Sequence, residues 1–166
     1  MSRAPARRHD AVDLLDADHI KVMLLFRKHR SLARQGAPAP ARQALARQIC
    51  QELVLHNRVE EEVFYPALRH ASAGSAGLHT LMDEADVEHE CAAHLVAQIM
   101  KMDAGDSHLD ARLHVLCQIV DRHVTTEREK MFSAARASGL DLVALVAPLV
   151  QCKEQALAEM GDGALG

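Results

Sequence analysis

Four short clusters rich in glycine, alanine, proline and serine divide this chain into segments of helical length. The clusters lie at 36–40 (GAPAP), 72–77 (SAGSAG), 104–107 (AGDS) and 137–139 (ASG). Glycine and proline end helices, because glycine is conformationally free and proline lacks an amide donor. We therefore predict four long helices, at about 11–35, 40–71, 76–103 and 108–137. A shorter, interrupted fifth helix is predicted at about 141–159, with Pro148 as a kink or stop.

Apolar residues recur at steps of three and four within each long helix, so each helix has one stripe to bury. The stripes consist of Val12, Leu15, Val22, Met23 and Phe26, of Leu45, Ile49, Leu53, Val63 and Ala67, of Met82, Ala85, Ala92, Val96 and Ile99, and of Leu113, Leu116, Val120, Met131 and Ala134. The predicted fold is therefore all-α, an antiparallel up-down-up-down four-helix bundle with a short C-terminal fifth helix. We divide the chain into a flexible N-terminal arm (1–10), the bundle (11–137), and a C-terminal helix and tail (138–166).

A histidine interrupts each apolar stripe near its middle. The interrupting residues, together with two glutamates that follow the second and fourth histidines by four residues, are His19, His56, His89, His123, Glu60 and Glu127. A histidine and a glutamate four residues apart project from the same face of a helix. The core is therefore predicted to contain four imidazoles and two carboxylates.

The spacing of these histidines places them at one height in the bundle. In an antiparallel hairpin, two residues at the same height are equidistant from the turn. The midpoint of His19 and His56 falls between Ala37 and Pro38, and the next two midpoints fall at 72–73 and at 106, all on predicted turns. The four histidines should therefore form one layer, with the two glutamates about one turn, roughly 6 Å, along the axis.

A buried layer of this composition is a candidate metal site. An unpaired carboxylate is costly in a protein core, and cations remove that cost because carboxylates bridge them and imidazoles complete their coordination. Imidazole and carboxylate together suit iron, and also manganese or zinc. Two glutamates with several histidines favour a two-metal cluster over a structural zinc, which prefers closed sites rich in cysteine and histidine. We weigh this against a purely structural polar core, which accounts for one His–Glu pair but not readily for a whole layer.

The remaining histidines and the cysteines are interpreted as residues of the surface or of the packing. The histidines lie off the stripes, near loops, or about 15 Å from the layer: His9, His29, His70, His79, His94, His108 and His114. The cysteines are far apart without a Cys-x-x-Cys pair, as expected of a reduced protein: Cys50, Cys91, Cys117 and Cys152.

The runs around the six layer residues resemble the hemerythrin HHE cation-binding domain. They read LLDADHIKVMLLF around His19, HNRVEEEVFYPAL at 56–68, VEHE at 87–90 and HVTTEREKMF at 123–132. The resemblance covers roughly 10–135 and implies a four-helix bundle with a carboxylate-bridged, non-haem diiron centre, iron being expected ahead of manganese or zinc. Members of the family handle dioxygen, peroxide, nitric oxide or iron itself. Carried over by position, the implied ligands are His19, His56, Glu60, His89, His123 and Glu127.

The chain departs from the oxygen-carrying members of that family at two positions. Ala85 stands where those carriers have a second histidine on the third helix, and Glu127 stands where they have an aspartate one residue further along. One metal then lacks a protein ligand, and Asp86, Glu61 or water is left to fill the gap. A more open site favours chemistry or metal exchange over reversible storage of dioxygen.

Three functions stay open from the sequence. The first is a diiron protein of oxidative or nitrosative stress that acts on or senses dioxygen, peroxide or nitric oxide. The second is a module that binds dioxygen or iron reversibly without catalysis, and the third is a structural bundle with adventitious metal. Peroxide turnover separates the first from the second, and metal content separates both from the third.

Other classes of function find no support in the sequence. The formal net charge is −4, so no overall basic field favours nucleic acid, and the patch Arg3, Arg7 and Arg8 is interpreted as a solvated arm. No apolar stretch suits a membrane span, and the first ten residues lack the apolar segment of a signal peptide, so we expect a cytoplasmic monomer or homodimer. Neither a nucleophile motif nor a glycine-rich phosphate loop is present.

Overall fold

The computed structural model describes residues 9–163, and every regular element in this part of the chain is helical. The patch Arg3, Arg7 and Arg8 lies outside the described residues. In chain order the elements are α1 (Ala11–Arg34), α2 (Ala39–Val59), the π-helical segment π1 (Glu60–Phe64), α3 (Tyr65–Ala71), α4 (Ala76–Lys101), α5 (Leu109–Thr126), the π-helical segment π2 (Glu127–Met131), α6 (Phe132–Ala137) and α7 (Val146–Gly163).

Four long helices form the bundle that the sequence predicts. The second consists of α2, π1 and α3 in series, and the fourth consists of α5, π2 and α6. Helix α1 packs against α2 and α5, α4 packs against α5 and α2, and α7 lies against α2, π1 and α1. Gly36 and Gly139 follow α1 and α6 at φ 66° and φ 78°, left-handed conformations that glycine adopts without strain. The breaker clusters therefore act as the helix ends that the sequence indicates.

The fifth helix differs from its prediction. It begins at Val146 rather than near 141, and it continues to Gly163. Pro148 lies in its first turn, where an amide N–H has no partner within the helix in any case. The prediction that Pro148 kinks or stops this helix is therefore wrong. The preceding loop is tied to the bundle by a hydrogen bond of 2.9 Å that Ala11 N donates to Leu142 O.

The two π-helical segments change which residues are buried after them. The sequence predicts Val63 and Ala67 on the buried stripe, but both are only half-buried, whereas Phe64 and Leu68 are fully buried. A π turn holds one residue more than an α turn, so it shifts the following stripe by one position. The fourth helix shows the same shift, because Ala135 is fully buried and the predicted Ala134 is not.

The polar layer separates two apolar clusters of the core. The cluster towards the 36–40 turn contains Val22, Phe26, Leu45, Ile49, Leu53, Ala92, Val96, Ile99, Leu113, Leu116 and Val120, among others. The cluster towards the opposite end contains Leu15, Phe64, Tyr65, Leu68, Met82, Ala85, Met131, Phe132, Ala135, Leu149 and Cys152, among others. The layer is thus enclosed by apolar side chains along the axis of the bundle. Within residues 9–163, none of the helices has the length and hydrophobicity that crossing a bilayer requires.

Candidate metal centre

All six predicted side chains meet in one buried layer. Each is at most 6% exposed, and Glu60 and Glu127 are fully buried. Nε2 of His56 lies 2.9 Å from Oε1 of Glu60, and Nε2 of His89 lies 3.2 Å from Oε2 of Glu60. Nε2 of His19 lies 3.1 Å from Oε2 of Glu127. The spacing of the histidines about the turns placed them at one height, and in the structure these side chains do converge.

Five of these residues form a tighter group of potential ligand atoms. One atom from each of His19, His56, Glu60, His123 and Glu127 lies within 4.8 Å of the others. His89 stands at the edge of this group, with its Nε2 3.4 Å from Nε2 of His123. The imidazoles of His19 and His56 approach most closely, at 2.9 Å between their Nε2 atoms. Four imidazole nitrogens and two carboxylates thus face a common centre.

Each carboxylate of the layer begins a π-helical segment. Glu60 and Glu127 are the first residues of π1 and π2, one turn after His56 and His123. The wider π turn sets the residues that follow at a new angle, so that Tyr65 also enters the core. Such π turns occur often at functional sites, and here both carboxylates share the same backbone arrangement.

Tyr65 is a residue of the layer that the sequence analysis missed. Its side chain is 2% exposed, and its hydroxyl lies 3.1 Å from Oε2 of Glu60 and 3.1 Å from Oε1 of Glu127. The single hydroxyl proton is donated to one carboxylate at a time. Burial and the two negative charges raise the pKa of Tyr65 well above its usual value, so the phenol keeps its proton.

Charges within the layer compensate one another. Burial opposes protonation of His56, but Glu60, Asp18 and Glu127 together outweigh it and raise the pKa of His56 to about 10. Burial also opposes ionisation of Glu60, yet the charge of His56 and hydrogen bonds from neighbouring imidazoles hold the pKa of Glu60 well below its usual range. Burial and the charge of Glu60 raise the pKa of Glu127. Positive charge is therefore required beside these carboxylates, whether protons or cations supply it.

The outward nitrogens of the four imidazoles face carboxylates. Nδ1 of His89 lies 2.8 Å from Glu61 Oε1, and Nδ1 of His123 lies 3.1 Å from Glu88 Oε2. The other two pairs are beyond hydrogen-bond distance, at 3.7 Å from His56 Nδ1 to Asp18 Oδ2 and 3.8 Å from His19 Nδ1 to Asp16 Oδ1, so only His89 and His123 have a hydrogen-bonded carboxylate on this side. A carboxylate that accepts from Nδ1–H leaves the lone pair on Nε2, which is the arrangement of a metal-binding histidine.

Two buried carboxylate oxygens of the layer also lack a proper hydrogen bond. Oε1 of Glu60 and Oε2 of Glu127 are buried without a hydrogen-bond partner of suitable geometry, although imidazole nitrogens lie close to both. Oxygen and nitrogen lone pairs that converge in this way fit a metal ion, which would satisfy them. The residues present therefore match the chemistry of a carboxylate- and imidazole-bound metal.

Neither of the two side chains considered as a replacement ligand near Ala85 takes that role. Asp86 supplies no oxygen to the layer. Its Oδ2 instead accepts a hydrogen bond of 2.8 Å from Arg69. Glu61 lies on the outer side of His89. Ala85 itself lines a recess of about 430 Å³ that runs from the exposed Glu84 and Lys130 to His123. The layer is thus more open on this side.

The opposite side of the layer is narrow and mostly apolar. A small cavity of about 20 Å³ borders His19, His56, His89 and His123, and its other walls include Val22, Leu53, Ala92, Val120 and Val124, together with Asn57 and Glu88. This volume suits about one molecule the size of water. The cavity brings a very small molecule within reach of the imidazoles while it limits the access of bulk water.

The histidines outside the layer lie apart from it. Five of them, His9, His70, His94, His108 and His114, are exposed. His79 is half-buried, and His29 is buried beside Asp110 at the 36–40 end of the bundle, with 3.6 Å between Nε2 and Oδ1. None of the seven belongs to the group of ligand atoms found within the described residues.

Comparisons with known proteins agree with this geometry. The family model described as hemerythrin HHE cation binding domain matches residues 10–135. A DNA nickase of Nostoc sp. (strain PCC 7120 / SAG 25.82 / UTEX 2576) is 30% identical over 124 residues, which are 75% of this chain and 33% of that protein. The chain thus spans about a third of the length of this relative. A solved structure of a hemerythrin HHE cation binding domain-containing protein from Mycobacterium kansasii is 22% identical and has a TM-score of 0.69, covering 92% of this chain and 93% of that chain.

Proposed function

The chain belongs to the hemerythrin HHE cation-binding domain family, and from that premise we propose that its polar layer binds two non-haem iron ions and acts on dioxygen, peroxide or nitric oxide. The observation that carries the proposal is the pair of fully buried glutamates between four imidazoles, with carboxylate oxygens left without proper hydrogen bonds. Family membership and this cluster indicate a metal site, and the donor set of nitrogen and carboxylate oxygen favours iron.

The proposed ligands are His19, His56, Glu60, His89, His123 and Glu127. Glu60 lies nearest the centre of the set, because its two oxygens face His56 on one side and His89 on the other. This placement suits a carboxylate that bridges two ions. His89 belongs to the proposed set through Glu60 and His123, although it stands outside the tightest group of atoms.

Bound iron would supply one-electron redox chemistry and an open coordination position for a small molecule. The chain's own residues set the conditions for that chemistry. Tyr65 holds a proton between the two glutamates, at 3.1 Å from each. The small, mostly apolar cavity restricts the volume next to the imidazoles, and Ala85 leaves the other side without an additional ligand. These features favour reaction with a small, reducible molecule over tight storage.

A nicking activity is not assigned to this chain. The name DNA nickase belongs to a relative of which the chain covers 33%. The formal net charge of −4 offers no support for binding to a phosphate backbone.

Iron reconstitution under anaerobic conditions tests the proposal. We expect about two iron ions per chain, and in air the absorption bands of an oxo-bridged ferric pair. The variants His56→Ala and Glu127→Ala should lose both the second ion and the bands, whereas His94→Ala, at an exposed site, should retain them. Wild-type protein that stays free of metal and equally stable would contradict the proposal and leave the layer a structural feature.

Peroxide then separates catalysis from reversible binding. The iron-loaded wild-type protein should consume hydrogen peroxide over many turnovers, and His56→Ala should not. A stable oxygenated form that survives repeated cycling without oxidation, with no peroxide consumption, would instead favour an oxygen-binding module.

A further inference from the structure

The C-terminal helix α7 lies beyond the residues that the family model matches, yet it reaches the layer. The match ends at residue 135, and α7 begins at Val146. Helix α7 packs against α2, π1 and α1, on the side of the bundle where His19 and His56 lie. Its residue Lys153 extends to α1, where Nζ lies 2.6 Å from Oδ1 of Asp18.

Asp18 connects this lysine to the layer. While one of its oxygens accepts from Lys153, the other, Oδ2, faces Nδ1 of the buried His56 at 3.7 Å, slightly beyond hydrogen-bond distance, and that nitrogen has no other hydrogen-bond partner among the described residues. The side chain of Asp18 is 18% exposed and that of Lys153 is 32% exposed, so water screens the pair only in part. The three side chains come from α7, α1 and α2 in turn. A displacement of Lys153 is therefore transmitted to His56 through a single carboxylate.

The four histidines differ in what fixes their outward carboxylates. Glu61 and Glu88 approach their histidines closely, at 2.8 and 3.1 Å. Asp16 and Asp18 are more distant. Three of the four carboxylates are also paired with a cation from another element, Glu88 with Arg122 of α5, Asp16 with Arg128 of π2 and Asp18 with Lys153 of α7, and only the last cation lies outside the four long helices. For His56, the position of the carboxylate thus depends on a helix outside the four-helix bundle.

We propose that Lys153 is a positioning residue of the metal centre, which holds Asp18 against Nδ1 of His56 and so keeps Nε2 of His56 directed at the metal. The inference rests on the proposed metal function. Without Lys153, Asp18 is free to turn into water, and His56 Nδ1 loses the facing carboxylate, whose charge favours a proton on Nδ1 and the present ring orientation. Helix α7 is accordingly part of the metal site of this chain.

Metal release into a chelator tests this role. The release rate is measured for the iron-loaded wild type, Lys153→Met, Asp18→Asn and the double variant. Asp18→Asn should release iron about tenfold faster, as is typical when an outer carboxylate of a metal-binding histidine is lost. Lys153→Met should accelerate release by a smaller factor, on the order of threefold. The double variant should match Asp18→Asn alone, because Lys153 acts through Asp18.

Two further variants separate positioning from general stability. Lys153→Arg should restore the wild-type rate, because guanidinium also donates to a carboxylate. Lys21→Met removes a comparable ion pair between α1 and α2, Lys21 Nζ to Glu52 Oε1 at 2.5 Å, and should leave the rate unchanged.

Three outcomes would overturn the inference. The first is a wild-type rate of iron release for Lys153→Met in protein that does hold iron. This result would leave the proposed metal function intact. The second is an effect of Lys153→Met that persists fully in the Asp18→Asn background, since Lys153 would then act by docking α7. The third is a wild-type protein that binds no iron, which removes the proposed function and this inference together.

Discussion

Two sites in this bundle place buried histidine beside carboxylate, but they differ in the number and charge of the polar groups around the imidazoles. In the central layer, four imidazoles and two carboxylates converge, and each imidazole has a second carboxylate on its outer side. At the 36–40 end, His29 faces one carboxylate, Asp110, whose other oxygen is paired with Arg42. A cavity of about 110 Å³, lined also by Arg30, His114 and Cys117, adjoins this second site.

The difference between the sites lies in the sign of the charge that each one needs. The layer concentrates negative charge, which outweighs burial and raises the pKa values of His56, His89 and His123, that of His56 to about 10. At the second site, burial dominates and the nearby Arg42 adds to it, so the pKa of His29 is lowered although Asp110 opposes the shift. A cation is therefore favoured in the layer and disfavoured beside His29. Burial of a histidine near a carboxylate does not by itself make a metal site.

The largest expected contrast comes from removing the carboxylate at each site. Glu60→Ala should lower the iron content from about two ions per chain to below one, because both central oxygens are lost. Asp110→Ala should leave the iron content unchanged. Metal analysis of the two reconstituted variants measures this directly. Equal iron in Glu60→Ala and wild type would refute the assignment of Glu60.

A histidine at position 85 should strengthen metal binding in the layer and so increase its contrast with the His29 site. Ala85 borders the recess beside His123, so an imidazole there has room to reach the metal. We expect Ala85→His to slow the release of iron into a chelator by about tenfold and to lower peroxide turnover, because the open position is filled. Ala93→His, at an exposed position of the same helix, is the matched control. Faster turnover in Ala85→His would show that openness at this position does not limit the chemistry.

The variant Tyr65→Phe tests how much the Tyr65 hydroxyl contributes to the stability of the layer. The variant removes a donor from between two buried carboxylates, so the metal-free protein should lose about 1–2 kcal/mol of unfolding free energy. The loss should be smaller in the iron-loaded protein, where cations satisfy the carboxylates. Urea unfolding of both forms gives the comparison. An equal loss in both forms would mean that the hydroxyl contributes through packing alone.

The smallest expected effect concerns the pH dependence at His29. The pKa of His29 is lowered in the folded protein by burial, so the unfolded chain takes up its proton first as the pH falls. The contribution of His29 to stability should therefore be lost between about pH 7.5 and about pH 5.5, so over that range the wild type should lose more stability than His29→Gln, or gain less. Urea unfolding at both pH values measures the two slopes, with His94→Gln as the exposed control. Parallel slopes for wild type and His29→Gln would show that His29 titrates normally.

The sequence was sufficient to predict the bundle and the layer because both follow from simple periodicities. Steps of three and four define the stripes, and equal distances from the turns bring His19, His56, His89 and His123 to one height. The outer carboxylates were missed in this role, although each lies within three residues of a layer residue in the sequence, as Glu88 does beside His89; Glu61 was considered only as a metal ligand. Sequence distance alone does not tell which exposed acid turns towards an imidazole.

The π-helical segments account for most of the remaining differences. An α-helical period applied beyond Glu60 selects Val63 and Ala67 for the core, whereas the structure buries Phe64 and Leu68. Tyr65 was missed for the same reason, since it follows Glu60 by five residues, one π turn. The choice between an α and a π turn depends on tertiary contacts around the glutamates, which a single helix does not encode.

Both π-helical segments also bear on how the chain can change in length. Each segment holds one residue more than a regular α-helix needs, so a deletion there need not turn the residues beyond it. Deleting one residue within 61–63 would restore a regular helix, with Phe64 and Leu68 at the third and seventh places after Glu60, on the face that an α-helical period buries. In the evolution of such a domain, a single-codon deletion within 61–63 is therefore easier to accommodate than one within α2, which would turn the residues beyond it by about 100°.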